Sequence, residues 1–142
     1  MIYIMAQEII PSQYVAHESE KHPFDAFGPF YNKDSVIQYL SIDQHDLDEL
    51  IAANEVIACQ TQDGDQVFPV WQFEDKAMIK EWVGKVTPIL SEGKVDNWVI
   101  ALWLSTPVDT LDNQSAVQWL DAGGDIDVIL QEARHDAYHW KL

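Results

Sequence analysis

The chain has 142 residues, 47% of them apolar, which is enough core for one domain or two very small ones and excludes collagen-like and disordered classes. Twenty-four acidic against 8 basic residues leave a net charge of −16, so most of the surface repels a phosphate backbone and nucleic acid is not expected as a general partner. The single cysteine, Cys59, excludes an internal disulfide and suits a reducing compartment.

Met1 to Ala6 is apolar, but no basic residue precedes it and Gln7 and Glu8 interrupt it, so neither a signal peptide nor a membrane span is expected and a cytoplasmic location is. Residues 1–33 read as an irregular arm, with Pro11, Pro23 and Pro29 among Phe24, Phe27, Phe30 and Tyr31. A helix is predicted to start near Asp34 as its cap, with Val36, Ile37 and Leu40 as its apolar stripe. After a break at Ser41 to Asp43, Asp43 caps a second helix carrying Leu47, Leu50 and Ile51. The period then changes to that of a hairpin: Val56, Ile57 and Cys59, a turn at Asp63 and Gly64, and a return through Val67, Phe68 and Val70. Pro69 has no N–H for a ladder and must take an edge or a strand end. Helix, turn, helix and hairpin over 34–75 outline a winged helix-turn-helix-like module.

Residues 76–142 are predicted to be helical. Met78, Ile79, Trp82, Val83 and Val86 define one amphipathic helix, which Thr87 and Pro88 kink or end. Asp96 caps a helix that is apolar on nearly every side from Trp98 to Leu104, as a buried central helix is. A loop through Pro107 leads to a short helix with Ala116, Val117, Trp119 and Leu120, stopped at Gly123 and Gly124. Asp125 caps the last helix, whose inward face is Ile126, Ile129, Leu130 and Ala133. The expected fold is mainly α with a small β-hairpin: an acidic winged-helix-like module followed by a small helical bundle.

The run FPVWQF at 68–73, followed by Trp98, Trp103 and Leu104, Thr106 and Pro107, Leu111, and Leu120 before Gly123, resembles the toxin-binding domain of Xre/ParS-type antitoxins. Pro69, Gln72 and Phe73 carry the first part of that pattern, and the match spans Phe68 to Ala133. The resemblance implies a protein partner, a cognate toxin of the RES-domain kind, neutralised by occlusion. It also implies that the last helix and tail reach toward the toxin, with Arg134, Tyr138, His139 and Trp140 as contact candidates. Relatives in that family self-associate, so a homo-oligomer is among the expectations.

Residues 34–67 likewise resemble the helix-turn-helix that precedes this domain in some relatives. From 34 to 73, however, there is no lysine or arginine, while Asp34, Asp43, Asp46, Asp48, Glu49, Glu55, Asp63 and Asp65 are all acidic. A module that docks on DNA releases counterions through basic residues, so DNA binding through this segment is not expected. An acidic inhibitor or adaptor that imitates nucleic acid, and a transcriptional autorepressor, stand as the alternative readings.

No catalytic constellation emerges: there is no Gly-rich phosphate loop or serine elbow, and Asp46 and Asp48 face different sides of a helix. No enzyme activity, cofactor or metal is expected. His135 and His139 have a metal-compatible spacing, but nothing nearby completes a ligand set. Cys59, between apolar strand residues, reads as a buried thiol. Trp98, Trp103 and Trp119 read as core, and Trp140 as either a packed tail or a partner contact.

Overall fold

The computed structural model describes residues 29–142, so most of the expected N-terminal arm lies outside the described residues. Phe30–Asn32, expected within that arm, form strand β1. Three residues are too few to display a period of two, and their partners lie far along the chain. Asn32 then caps helix α1, Lys33–Leu40, its side chain accepting from the Ser35 N–H at 2.8 Å. The cap thus falls two residues before Asp34, which instead lies in the first turn where its charge favours the dipole. Ser41, at φ 56°, ends α1 in a left-handed conformation, and Asp43 caps α2, Gln44–Ala52, as expected.

The hairpin consists of β2, Cys59–Gln60, and β3, Gln66–Pro69, with Gly64 at φ 89° in its turn. β1 adds to the other side of β3, giving the antiparallel order β1-β3-β2 with Phe30 opposite Pro69 and Cys59 opposite Val67. Pro69 occupies a strand end, where a missing N–H costs least. Val56 to Ala58, expected in the strand, are buried but outside the ladder. Ile57 is instead pinned by the fully buried Gln72: its N–H donates to Gln72 Oε1 at 2.7 Å, and its carbonyl accepts from Gln72 Nε2 at 2.8 Å. A side-chain amide there replaces a neighbouring strand.

The helix expected from Met78 onward starts later. Met78–Ile79 form β5, paired antiparallel with β4, Phe73–Glu74, and helix α3 spans Val83–Ser91. Lys76 and Ala77, at φ 72° and 60°, lie in the three-residue loop 75–77 of this second hairpin, with positive φ at two residues that are neither glycine nor asparagine. Pro88 lies inside α3 rather than ending it. The carbonyl it leaves without its usual N–H partner is that of Gly84, an exposed residue.

Asp96 caps α4, Asn97–Ser105, and a capping box between Ser115 and Gln118 starts α5, Ala116–Asp121. Gly123, at φ 85°, follows α5, and Asp125 caps α6, Ile126–Lys141. The fold is therefore mainly α with a small antiparallel sheet, an acidic helix-turn-helix with its hairpin followed by a helical bundle. Within the bundle α3 packs along α6 while α4 packs on α5 and α3. Among the described residues no helix is long and apolar enough to cross a membrane.

Two apolar clusters form the interior. Val36, Leu47, Val56, Ala58, Phe68 and Phe73 close the helix-turn-helix. Phe30, Ile57, Cys59 and Val67 instead join the bundle's core around Trp98, so the sheet contributes to both. Trp98 is 0% exposed, meets Phe30 edge-on at 5.6 Å, and donates from Nε1 to the Gln60 carbonyl at 2.8 Å. Asn97 Nδ2 reaches the Ala58 carbonyl at 2.7 Å. The start of α4 is thereby bonded to β2 and the segment just before it.

Candidate functional site

α4 has two apolar faces. Trp98, Ala101 and Leu104 point into the core and are fully buried. Val99, Leu102, Trp103 and Thr106, spaced i, i+3, i+4, i+7, share another stripe, and the first three are only half-buried. That stripe faces α6 across an open groove of about 330 Å³. The buried side chains of Leu111, Ala116 and Ile129 line its floor, and Val108, 41% exposed, stands at its rim. A helix apolar all round is expected to be buried all round. Here one apolar face is buried and the other is left half open.

The opposite wall comes from α6, where Ile129, Glu132, Asp136 and Trp140 fall on one stripe, each separated from the next by about one turn. Trp103 bridges the walls, its Nε1 donating to Asp136 Oδ2 at 2.6 Å. Among the described residues Glu132 and Asp136 are the only ionisable groups lining the groove, and no lysine, arginine or histidine does so. Neither carboxylate is in an ion pair among the described residues; the pairs that exist are Lys33–Asp48, His45–Glu49, Lys80–Asp121 and Lys85–Glu81.

The four expected contact residues do not share a surface. Arg134, Tyr138 and His139 are exposed on the outer side of α6, with Tyr138 at 59%. His139 Nδ1 donates to the His135 carbonyl at 2.9 Å, and the two imidazoles lie 4.3 Å apart. Among the described residues no group of three His, Cys, Asp or Glu is placed to hold a metal ion. Trp140 faces the other way, half-buried within α6 rather than beyond it, and lines the groove. It rests on Gly93, where a Cβ would meet its ring at 2.6 Å, so only glycine admits the indole at this approach.

Trp103 and Trp119 are half-buried against the core, and Trp119 Nε1 donates to the Asp125 carbonyl at 3.1 Å. Burial, assisted by the Asp96 charge, pushes the Cys59 thiol well above its ordinary range, which keeps it protonated and unreactive. Val99, Leu102, Glu132 and Asp136 were not singled out by sequence reasoning. Their signal is a second stripe on each of two helices, and reading it requires knowing that those stripes face one another.

No protein-family model and no curated protein matches the chain. Among solved structures, the fold is similar to that in the NMR structure of Rv2175c, with a TM-score of 0.58 and 17% sequence identity over 93% of this chain and 89% of that one. At that identity the likeness establishes the arrangement of helices and strands alone.

Proposed function

We propose that this chain is an antitoxin-like, protein-binding regulator whose helical bundle holds a partner polypeptide and neutralises it by occlusion. The observation that carries this reading is the half-open apolar groove between α4 and α6, bounded by Trp103 and Trp140. Half-buried apolar and aromatic side chains around a well-defined concavity are the usual anchors of a protein interface. Excess carboxylates would steer a basic toxin toward it. The resemblance of residues 68–133 to antitoxin toxin-binding domains supports the same reading. Arg134, Tyr138 and His139 would extend the contact over the outer side of α6, with Trp140 on the groove side.

Co-expression with the products of the genes flanking its own is the test. One flanking product is expected to arrest growth alone and to be neutralised when this chain is present. The absence of any growth-arresting neighbour, or arrest unrelieved by the chain, would overturn the proposal.

A second reading, an acidic adaptor that imitates nucleic acid, is favoured by one observation. All eight carboxylates from Asp34 to Asp65 are exposed. Such an adaptor would bind a basic protein through α2, and that binding would weaken when Asp46 and Glu49 are neutralised. Autorepression by DNA contact is the least supported alternative, because the same carboxylates would face the duplex.

A further inference from the structure

We infer that the occupant of the α4–α6 groove is a basic amphipathic helix of about two to three turns, with apolar anchors against Leu102 and Trp140 and a lysine or arginine on Glu132 and Asp136. This deepens the protein-binding reading and rests on it. The length follows from the walls: from Val99 to Thr106 the stripe of α4 rises about 10 Å at 1.5 Å per residue. Segments of that length dock through anchors at helical spacing.

The charge follows from desolvation. An apolar segment laid over this groove strips water from Glu132 and Asp136, neither of which has a cationic partner among the described residues. One oxygen of Asp136 already accepts from Trp103 Nε1, which holds that carboxylate at the groove's edge but does not neutralise it. Burying an unpaired carboxylate is unfavourable, whereas a cation supplied by the occupant offsets the loss of water and fixes the occupant's register. A neutral or acidic segment of the same shape lacks that compensation. Among the described residues the groove lining offers no cation that could serve an acidic one.

Three twelve-residue helical peptides, sharing one leucine pattern and carrying lysine, glutamine or glutamate at the other positions, test this by calorimetry against the full chain. The leucine–lysine peptide is expected to bind at least about tenfold more tightly than the leucine–glutamine peptide, and the leucine–glutamate peptide not at all. The double variant Glu132→Gln, Asp136→Asn, in which the new amide oxygen can still accept from Trp103, should reduce the lysine peptide to the level of the glutamine one. Leu102→Gln should abolish binding of both. Asp46→Asn with Glu49→Gln, two carboxylates removed from α2, should leave affinity within about twofold, since those groups lie outside the groove. Equal binding of the lysine and glutamine peptides would overturn the charge assignment while leaving the groove a docking site. Binding that ignores Leu102→Gln but falls with the α2 variant would assign the attraction to the general acidic surface and overturn the inference. If neither the lysine nor the glutamine peptide binds, the groove itself fails as a docking site, and the protein-binding reading fails with it.

Discussion

The helix-turn-helix and the bundle use apolar surface in opposite ways. In α1 and α2 each helix buries a narrow stripe, centred on Val36 and Leu47, and turns carboxylates such as Asp34, Asp46 and Asp48 to solvent. Ile37, Leu40, Leu50 and Ile51 beside those stripes are half-buried but pack against the same small cluster, and the carboxylates outside them are exposed. In the bundle α4 places one apolar face in the core and leaves a second, through Val99, Leu102 and Trp103, only half covered. On the proposed reading the more hydrophobic half, not the more charged one, is where the partner docks.

The strongest way to break this contrast is to remove what joins the two regions. Trp98→Ala deletes the buried indole that touches Phe30 and bonds the Gln60 carbonyl, and chemical denaturation should show a loss of about 3–5 kcal/mol. Loss of the bundle with the helix-turn-helix left intact would instead separate the regions into independent units. Gln72→Leu comes next. It leaves the N–H and carbonyl of Ile57 buried without Gln72, at about 1–3 kcal/mol for each group. A near-neutral result would mean that water or a local shift satisfies Ile57.

Gly93→Ala sharpens the picture of the groove wall. The new methyl would meet Trp140 at 2.6 Å and must displace it, an overpacking cost of about 1–3 kcal/mol accompanied by a change in tryptophan fluorescence. Unchanged stability and emission would show that Trp140 does not rest there. On the charged side the expected effects are smallest. Asp46→Asn with Glu49→Gln should change stability by no more than about 0.5 kcal/mol, because relief of self-repulsion at a net charge of −16 is offset by loss of the exposed His45–Glu49 pair and of the Asp46 charge in the first turn of α2. A clear destabilisation would assign those carboxylates a structural role. Cys59 gives a signature on the alkaline side. Its folded pKa is raised, so its contribution is complete below the unfolded thiol's value of about 8.5 and is lost as pH rises above it. Cys59→Ala should flatten that part of the alkaline decline in stability, and a decline identical to that of the parent would contradict the assignment.

Much of this fold was legible locally. Asp43, Asp96 and Asp125 each precede a helix and cap it, and the Asp63–Gly64 turn separates β2 from β3. The failures share a cause, which is that the deciding contact lies elsewhere in the chain. Met78 and Ile79 fit a helical stripe with Trp82 and Val86, but pairing with Phe73 and Glu74 through a three-residue loop without glycine makes them a strand. β1 exists because β3 offers it an edge. Trp140, read as either a packed tail or a partner contact, is half-buried in α6 because Gly93, far off in sequence, supplies the space that seats it. The groove was half visible, in an α4 too apolar for its length. The sequence pattern suggested complete burial, and only the position of α6 shows which face remains open.

The most direct test of the proposed function compares two variants in the growth-arrest assay against the toxin that the proposal places beside its gene: Leu102→Gln in the groove, and Asp46→Asn with Glu49→Gln on α2. The expected result is that the groove variant folds but no longer neutralises, while the α2 variant protects like the parent chain. Full protection by the groove variant together with failure of the α2 variant would move the partner surface to the acidic helix-turn-helix and contradict the docking groove.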